Sequence, residues 1–235
     1  MSGGLASGAP HAGSPQVRTG APVDRAAALL VLVHGRGGTP ESMLSLAEAI
    51  GRDELAIVAP RAAGGTWYPQ SFLAPIQSNE PGLSSGLAVL AEVVESAVVA
   101  GIPTERQILL GFSQGACLTL EFAARNPRRF GAIVGLSGGL VGPPGTERGY
   151  PGSLDGAPVF LGSSDPDPHV PWSRVVETSE VFERMGADVD IRRYPGMPHT
   201  INDEEIDVVR SMIDAVVDGR DRRAAATTVS SRSSV

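Results

Sequence analysis

The sequence predicts an α/β protein with a mostly parallel central sheet and helices on both faces. Three observations carry that expectation. Short apolar runs alternate with amphipathic stretches from start to end, the pattern of repeated strand–helix units. The run Ala27–Val33, AALLVLV, shows no polar alternation, as expected of a strand covered on both faces. Turns rich in Gly, or in Asp and Pro, follow the runs that end at Val33, Leu110 and Leu161. In open parallel sheets, reactive groups collect beyond the carboxyl ends of the strands.

Taken in order, residues 1–14 are rich in Gly, Ala, Ser and Pro and are expected to be disordered, with His11 in that tail. Gln16–Thr19 reads as a short edge strand. After Ala27–Val33 comes His34-Gly35-Arg36-Gly37-Gly38, then Thr39 as N-cap, Pro40 in the first helical position and Glu41 in the first turn. That helix should stop at Gly51, with a strand at Leu55–Ala59. Residues 60–82 show no periodicity but hold Trp67, Tyr68 and Phe72. A connection of this length is usually functional, and its aromatics suggest a pocket wall. Leu83–Ala100 reads as a helix with Leu87, Leu90, Val94 and Val98 on its apolar face. Strands follow at Ile108–Leu110, Ala132–Leu136, Pro158–Leu161 and, with alternation that suits an outer position, Asp188–Arg193. Residues 137–157, rich in Gly and Pro, are a candidate lid or rim. Trp172–Met185 reads as a helix, and Asn202–Glu205 opens the last one, which carries Ile206, Val209, Ile213 and Val217. One α/β domain is expected over 15–218, with 219–235 a disordered tail.

Composition narrows the function. Of 235 residues, 42% are hydrophobic and 19% charged, ordinary values for a globular chain. A net charge of −7 with no basic run argues against a nucleic-acid partner. The single cysteine, Cys117, rules out an intrachain disulfide and reads as a small buried residue. No signal peptide is visible and no run approaches a membrane span, so a cytoplasmic protein without a stable membrane anchor is expected. Oligomeric state is open.

The chemistry centres on Gly111-Phe112-Ser113-Gln114-Gly115. A strand that turns at once into a helix crowds its own backbone, so Gly is needed on both sides of the apex. With 29 Gly in the chain, chance supplies on the order of 0.3 such motifs, and Gly135–Gly139 is a second one. Context separates them. Ser113 is followed by Ala116, Leu118, Leu120 and Phe122, which make a helix; Ser137 is followed by Gly138, Gly139, Gly142 and two prolines, which do not. Ser113 is therefore the candidate nucleophile and Ser137 a loop serine.

A serine nucleophile needs a general base. Of the four histidines, only His199 completes the α/β-hydrolase chain order of Ser, acid, His with room between the members. The acid should follow the strand at Val159–Leu161, where Asp165 and Asp167 both stand. Asp167, in Asp-Pro-His-Val-Pro, has the more rigid setting and is favoured, with Asp165 the alternative. Oxyanion donors are expected from the backbone N–H groups of Gln114 and Arg36, with Gly35 letting backbone approach the substrate. Neither phosphate-binding glycine motif is present at Gly35–Gly38. No metal or organic cofactor is called for.

His34-Gly35-Arg36-Gly37, Trp67-Tyr68-Pro69-Gln70-Ser71-Phe72, Gly111–Ala116, Asp167-Pro168-His169-Val170-Pro171 and Gly196-Met197-Pro198-His199 together resemble the phospholipase/carboxylesterase family of α/β-hydrolases. The resemblance spans roughly residues 15–217. It implies a Ser113–Asp167–His199 triad with the N–H groups of Arg36 and Gln114 as oxyanion hole. Arg36 stands where the family's acyl-protein thioesterases carry Leu, and the Trp-Tyr-Pro loop looks like a bacterial subgroup. The implied activity is therefore hydrolysis of a small-molecule carboxylic ester through an acyl-enzyme. Thioesterase or lysophospholipase activity on longer chains is the alternative, and a non-catalytic binding protein on the same fold the rival from another class.

Overall fold

The computed structural model describes residues 9–219. Seven strands form one sheet in the order β1-β3-β2-β4-β5-β6-β7. They are β1 (Gln16–Gly20), β2 (Ala28–Val33), β3 (Leu55–Pro60), β4 (Gln107–Phe112), β5 (Ala132–Leu136), β6 (Pro158–Asp165) and β7 (Asp188–Pro195). All neighbours run parallel except β1, which pairs antiparallel with β3 at one edge. The helices are α1 (Pro40–Ile50), α2 (Gly82–Val99), α3 (Gln114–Arg125), α4 (Trp172–Arg184) and α5 (Asp203–Val217).

Strand periodicity explains the layers. Every residue of β2 is buried, and successive side chains point to opposite faces. Leu29, Val31 and Val33 join the apolar layer built with α2, α3 and α4. Ala28, Leu30 and Leu32 join the layer built with α1 and α5. The chain leaves β2 for β3 on one side and returns to β4 on the other. That reversal opens a crevice at the carboxyl ends of β2 and β4, where the glycine-rich turn and Ser113 lie.

Local signals act as expected at α1, where Thr39 Oγ1 accepts from the Ser42 N–H and Gly51 caps the end in the left-handed region at φ 65°. At α5, Asn202 and Glu205 form a reciprocal capping box. Four sequence expectations need correction. First, residues 9–14 are not a free tail. His11 is buried, its ring nitrogens bonding the Trp67 carbonyl at 2.8 Å and the Ala63 N–H at 3.0 Å; residues 1–8 and 220–235 lie outside the described chain. Second, α2 turns its face slightly from the expected one. Leu83, Gly86, Leu90, Val93, Val94 and Ala97 are buried, Leu87 is half-buried and Val98 is exposed. Third, α2 is long and apolar enough to cross a membrane by composition, and more than half of it is buried in the fold. Fourth, the two ends of 137–157 pack into the core, and none of its residues lines the cleft. Leu140, Val141, Leu154 and Ala157 are fully buried. Arg174 donates to the Leu140 and Gly142 carbonyls at 2.7 Å, and the Val141 N–H donates to Glu121 at 3.0 Å. Irregular backbone can be buried when side chains satisfy it in this way.

Candidate active site

The turn between β4 and α3 forces Ser113 to φ 55°, ψ −120°, a sparsely populated conformation that persists only where its surroundings over-determine it. The two flanking glycines are required by space. A Cβ on Gly111 would strike the Gly115 carbonyl, and one on Gly115 would strike the carbonyls of Val33 and His34. Ser113 Oγ donates to His199 Nε2 at 2.9 Å, and His199 Nδ1 donates to Asp167 Oδ2 at 2.7 Å. That chain of contacts fixes the neutral imidazole as the Nδ1–H tautomer.

Asp167 is held more completely than sequence reasoning anticipated. Its carboxylate also accepts from the N–H groups of His169 (2.7 Å) and Val170 (2.9 Å) and from the Ser164 hydroxyl (2.8 Å). Burial pushes its pKa up, but the bonds from His199, His169, Val170 and Ser164 outweigh it and hold the carboxyl below its ordinary value. Asp165 points elsewhere, into an ion pair with Arg193. Ser164 was expected in the turn after Pro158–Leu161 and instead lies in β6, and nothing in its spacing from Asp167 announced a bond.

The glycine-rich turn after β2 is fixed from beneath by His34. The Ala62 N–H donates to His34 Nε2 at 3.1 Å, so Nδ1 carries the proton and donates to the Gly35 carbonyl at 2.8 Å. Burial lowers the His34 pKa, which keeps the ring neutral and both bonds intact. Arg36 bends its guanidinium back onto the carbonyls of Tyr68 (3.0 Å), Pro69 (3.0 Å) and Gln70 (2.6 Å). Arg36 also lines the cleft beside Ser113. Gln114 begins α3, where N–H groups have no carbonyl one turn earlier. Its side chain has a further part that the motif did not reveal. Nε2 donates to the Tyr68 carbonyl at 2.8 Å, and Oε1 accepts the Trp67 N–H at 2.9 Å. Arg36 and Gln114 thus converge on one carbonyl and lock the 60–82 connection between the two turns.

The cleft beside Ser113 has a volume of about 510 Å³ and is lined by Gly35, Tyr68, Phe72, Cys117, Val170 and His199, among others. Trp67 is not on its wall. It is fully buried, donates from Nε1 to the His34 carbonyl at 2.9 Å, and packs its ring against His34 and His11. The aromatic cluster of the 60–82 connection therefore divides, with Trp67 an anchor and Tyr68 and Phe72 lining. Cys117 lies on the floor with its thiol pushed up to about 12 by burial, so it stays protonated and unreactive. His169 stands at the rim, edge-on to the His199 ring at 4.9 Å between centroids. Ser137, the rival serine, is fully buried after β5.

A parallel sheet with its sharp strand–helix turn at the topological reversal, and a serine there bonded through histidine to aspartate, define a serine hydrolase of the α/β-hydrolase fold. The chain belongs to the phospholipase/carboxylesterase family, whose profile matches residues 15–217. The crystal structure of a phospholipase/carboxylesterase from Dyadobacter fermentans is 46% identical, with a TM-score of 0.82 over 85% of this chain and 96% of that one. Acyl-protein thioesterase 1 of Kluyveromyces lactis is 29% identical over 81% of this chain and 92% of its own length. Its Neurospora crassa counterpart is 25% identical over 81% and 87%. The protein is an ester-hydrolysing enzyme.

Proposed function

We propose that this enzyme is a serine carboxylesterase that hydrolyses small-molecule carboxylic esters through an acyl-enzyme. The observation that carries the reading is the unbroken bond chain from Asp167 through His199 to Ser113, opening on a cleft. Ser113 Oγ attacks the ester carbonyl as His199 Nε2 takes its proton. Asp167 orients the imidazole and stabilises the imidazolium. Charge on the carbonyl oxygen is met by the N–H groups of Arg36 and Gln114. The imidazolium protonates the departing alcohol, and the same histidine then activates water to release the acid. No metal or organic cofactor takes part in this sequence. A cytoplasmic location belongs to the same reading, and the burial of most of α2 within the fold supports a core helix rather than a membrane span.

The preference for small esters rests on the cleft. Its volume suits a ligand of modest size, and the buried Tyr68 and Cys117 form part of its lining. Thioester hydrolysis is the second reading, suggested by the relatives named acyl-protein thioesterase 1. The test is a panel of p-nitrophenyl esters from acetyl to palmitoyl with matched thioesters, run on wild type and Ser113→Ala. Activity greatest on short acyl esters, and lowered about four to six orders of magnitude in the variant with unchanged circular dichroism, is expected. Full activity in Ser113→Ala removes the nucleophile assignment, and a maximum on palmitoyl thioester favours the second reading.

A further inference from the structure

A second recess of about 390 Å³ adjoins the cleft, between α1 and the segment after His199. Met43 and Leu46 form one wall and Ile201 and Ile206 the other. It shares Gly35, Arg36 and Phe112 with the cleft that holds Ser113. The junction is close, since a Cβ on Gly35 would lie 3.3 Å from the Cβ of Ser113. Phe112 sits between the two spaces with its ring centroid 5.1 Å from that of His199.

The reaction assigns the two spaces different contents. At the tetrahedral carbon, one oxygen faces the Arg36 and Gln114 N–H groups and a second bond goes to Ser113 Oγ. The acyl chain and the departing oxygen must then leave in different directions, and the departing oxygen must reach His199 Nε2 for its proton. The cleft lined by Tyr68, Phe72, Cys117 and Val170 lies over α3 and suits the acyl chain. The recess is bounded by Thr200 and Ile201, the two residues after His199, and meets the cleft at Phe112, whose ring packs against that of His199. We propose that this apolar recess receives the alkyl portion of the alcohol, so that the enzyme selects esters of apolar alcohols several carbons long. The proposal rests on the Ser113 reading above.

The test holds the acyl group constant as butyrate and lengthens the alcohol from methyl to hexyl, following released acid by pH-stat. kcat/KM reports binding through acylation, the step that expels the alcohol. In wild type it should rise about two- to fourfold for each methylene that enters the recess. Ser45 is exposed and lines the recess, and its hydroxyl bonds only back to the Ser42 carbonyl at 3.4 Å. Ser45→Trp should abolish the rise and leave methyl butyrate hydrolysis unchanged, and Ile201→Glu should abolish the rise as well. Methyl butyrate turnover shows that each variant is folded; should Ile201→Glu lose it, Ser45→Trp decides alone. No rise in wild type, or a rise that survives in Ser45→Trp, overturns the proposal. Methyl butyrate hydrolysis that persists in Ser113→Ala instead overturns the nucleophile assignment, whatever the alcohol dependence.

Discussion

Glu205, in the first turn of α5, is fully buried. Its Oε2 accepts the Asn202 N–H at 2.9 Å, while Oε1 is buried without a partner against Gly162, where any Cβ would strike it. Burial raises its pKa from the ordinary 4.5 to about 7. The folded protein therefore keeps a proton there that the unfolded chain releases. Stability should fall as pH rises from 4.5 to about 7 and level off above, by on the order of 3 kcal/mol. His34 acts in the opposite sense. Its pKa is lowered from 6.5 by burial, so its contribution is complete above 6.5 and declines as pH falls below that value. Glu205→Gln should leave only the His34 trend. Thermal melts at pH 5 and pH 8 are expected to show a larger loss on raising pH in wild type than in the variant, and a variant more stable than wild type at pH 8. Identical pH dependence in the two proteins would contradict the Glu205 assignment.

Among the elements, the β4–α3 turn is the most constrained. Gly115→Ala would put a methyl group 2.6 Å from the His34 carbonyl and closer still to that of Val33. The methyl cannot be accommodated without separating α3 from β2, at a cost of roughly 3 kcal/mol or more. A urea midpoint unchanged in Gly115→Ala would refute the packing described. Both glycines were readable from the motif because the constraint is local: the backbone of a strand-to-helix turn must fold onto itself. The fate of residues 137–157 was not readable. Their Gly and Pro content correctly excluded regular structure, but whether an irregular segment covers the cleft or packs into the core depends on distant partners. Here Glu121, Arg174 and Thr178 supply those partners, bonding Val141, Leu140 and Gly142. The face of α2 was missed for a related reason. Its C-terminal turn, Ala97-Val98-Val99, is apolar throughout, so periodicity did not distinguish Val98 from Ala97, and the packing of α2 against α3 and β3 decided it.

At the scale of the whole molecule, residues 9–14 reach the connection that carries the cleft wall. His11 accepts the Ala63 N–H at ring nitrogen Nδ1, bonds the Trp67 carbonyl, and takes the Ser85 hydroxyl as acceptor for its own N–H at 2.9 Å. It links residues 9–14, the 60–82 connection and α2. His11→Ala should cost about 2 kcal/mol, since it leaves buried polar groups unpaired. It should also raise KM more than it lowers kcat, because Trp67 neighbours Tyr68 on the wall while Ser113, His199 and Asp167 are untouched. A stability and KM equal to wild type would show the contact to be incidental.

The sequence by itself determined the order of strands and helices, the turn that strains Ser113, and the chain order Ser113, Asp167, His199. These follow from local rules: burial periodicity, glycine at crowded turns, and the chemistry a serine needs. Only the tertiary structure set Asp167, and not Asp165, against His199, since the two lie at the end of the same strand and face His199 and Arg193 respectively. It also turned Trp67 away from the cleft and Tyr68 and Phe72 toward it, drew His11 out of an apparent tail, and set the Ser164 hydroxyl on the Asp167 carboxylate. Each of those outcomes is a contact between residues distant in the chain or folded back across a turn. Side-chain chemistry permits such contacts, but the packing of the sheet and its helices selects which ones form.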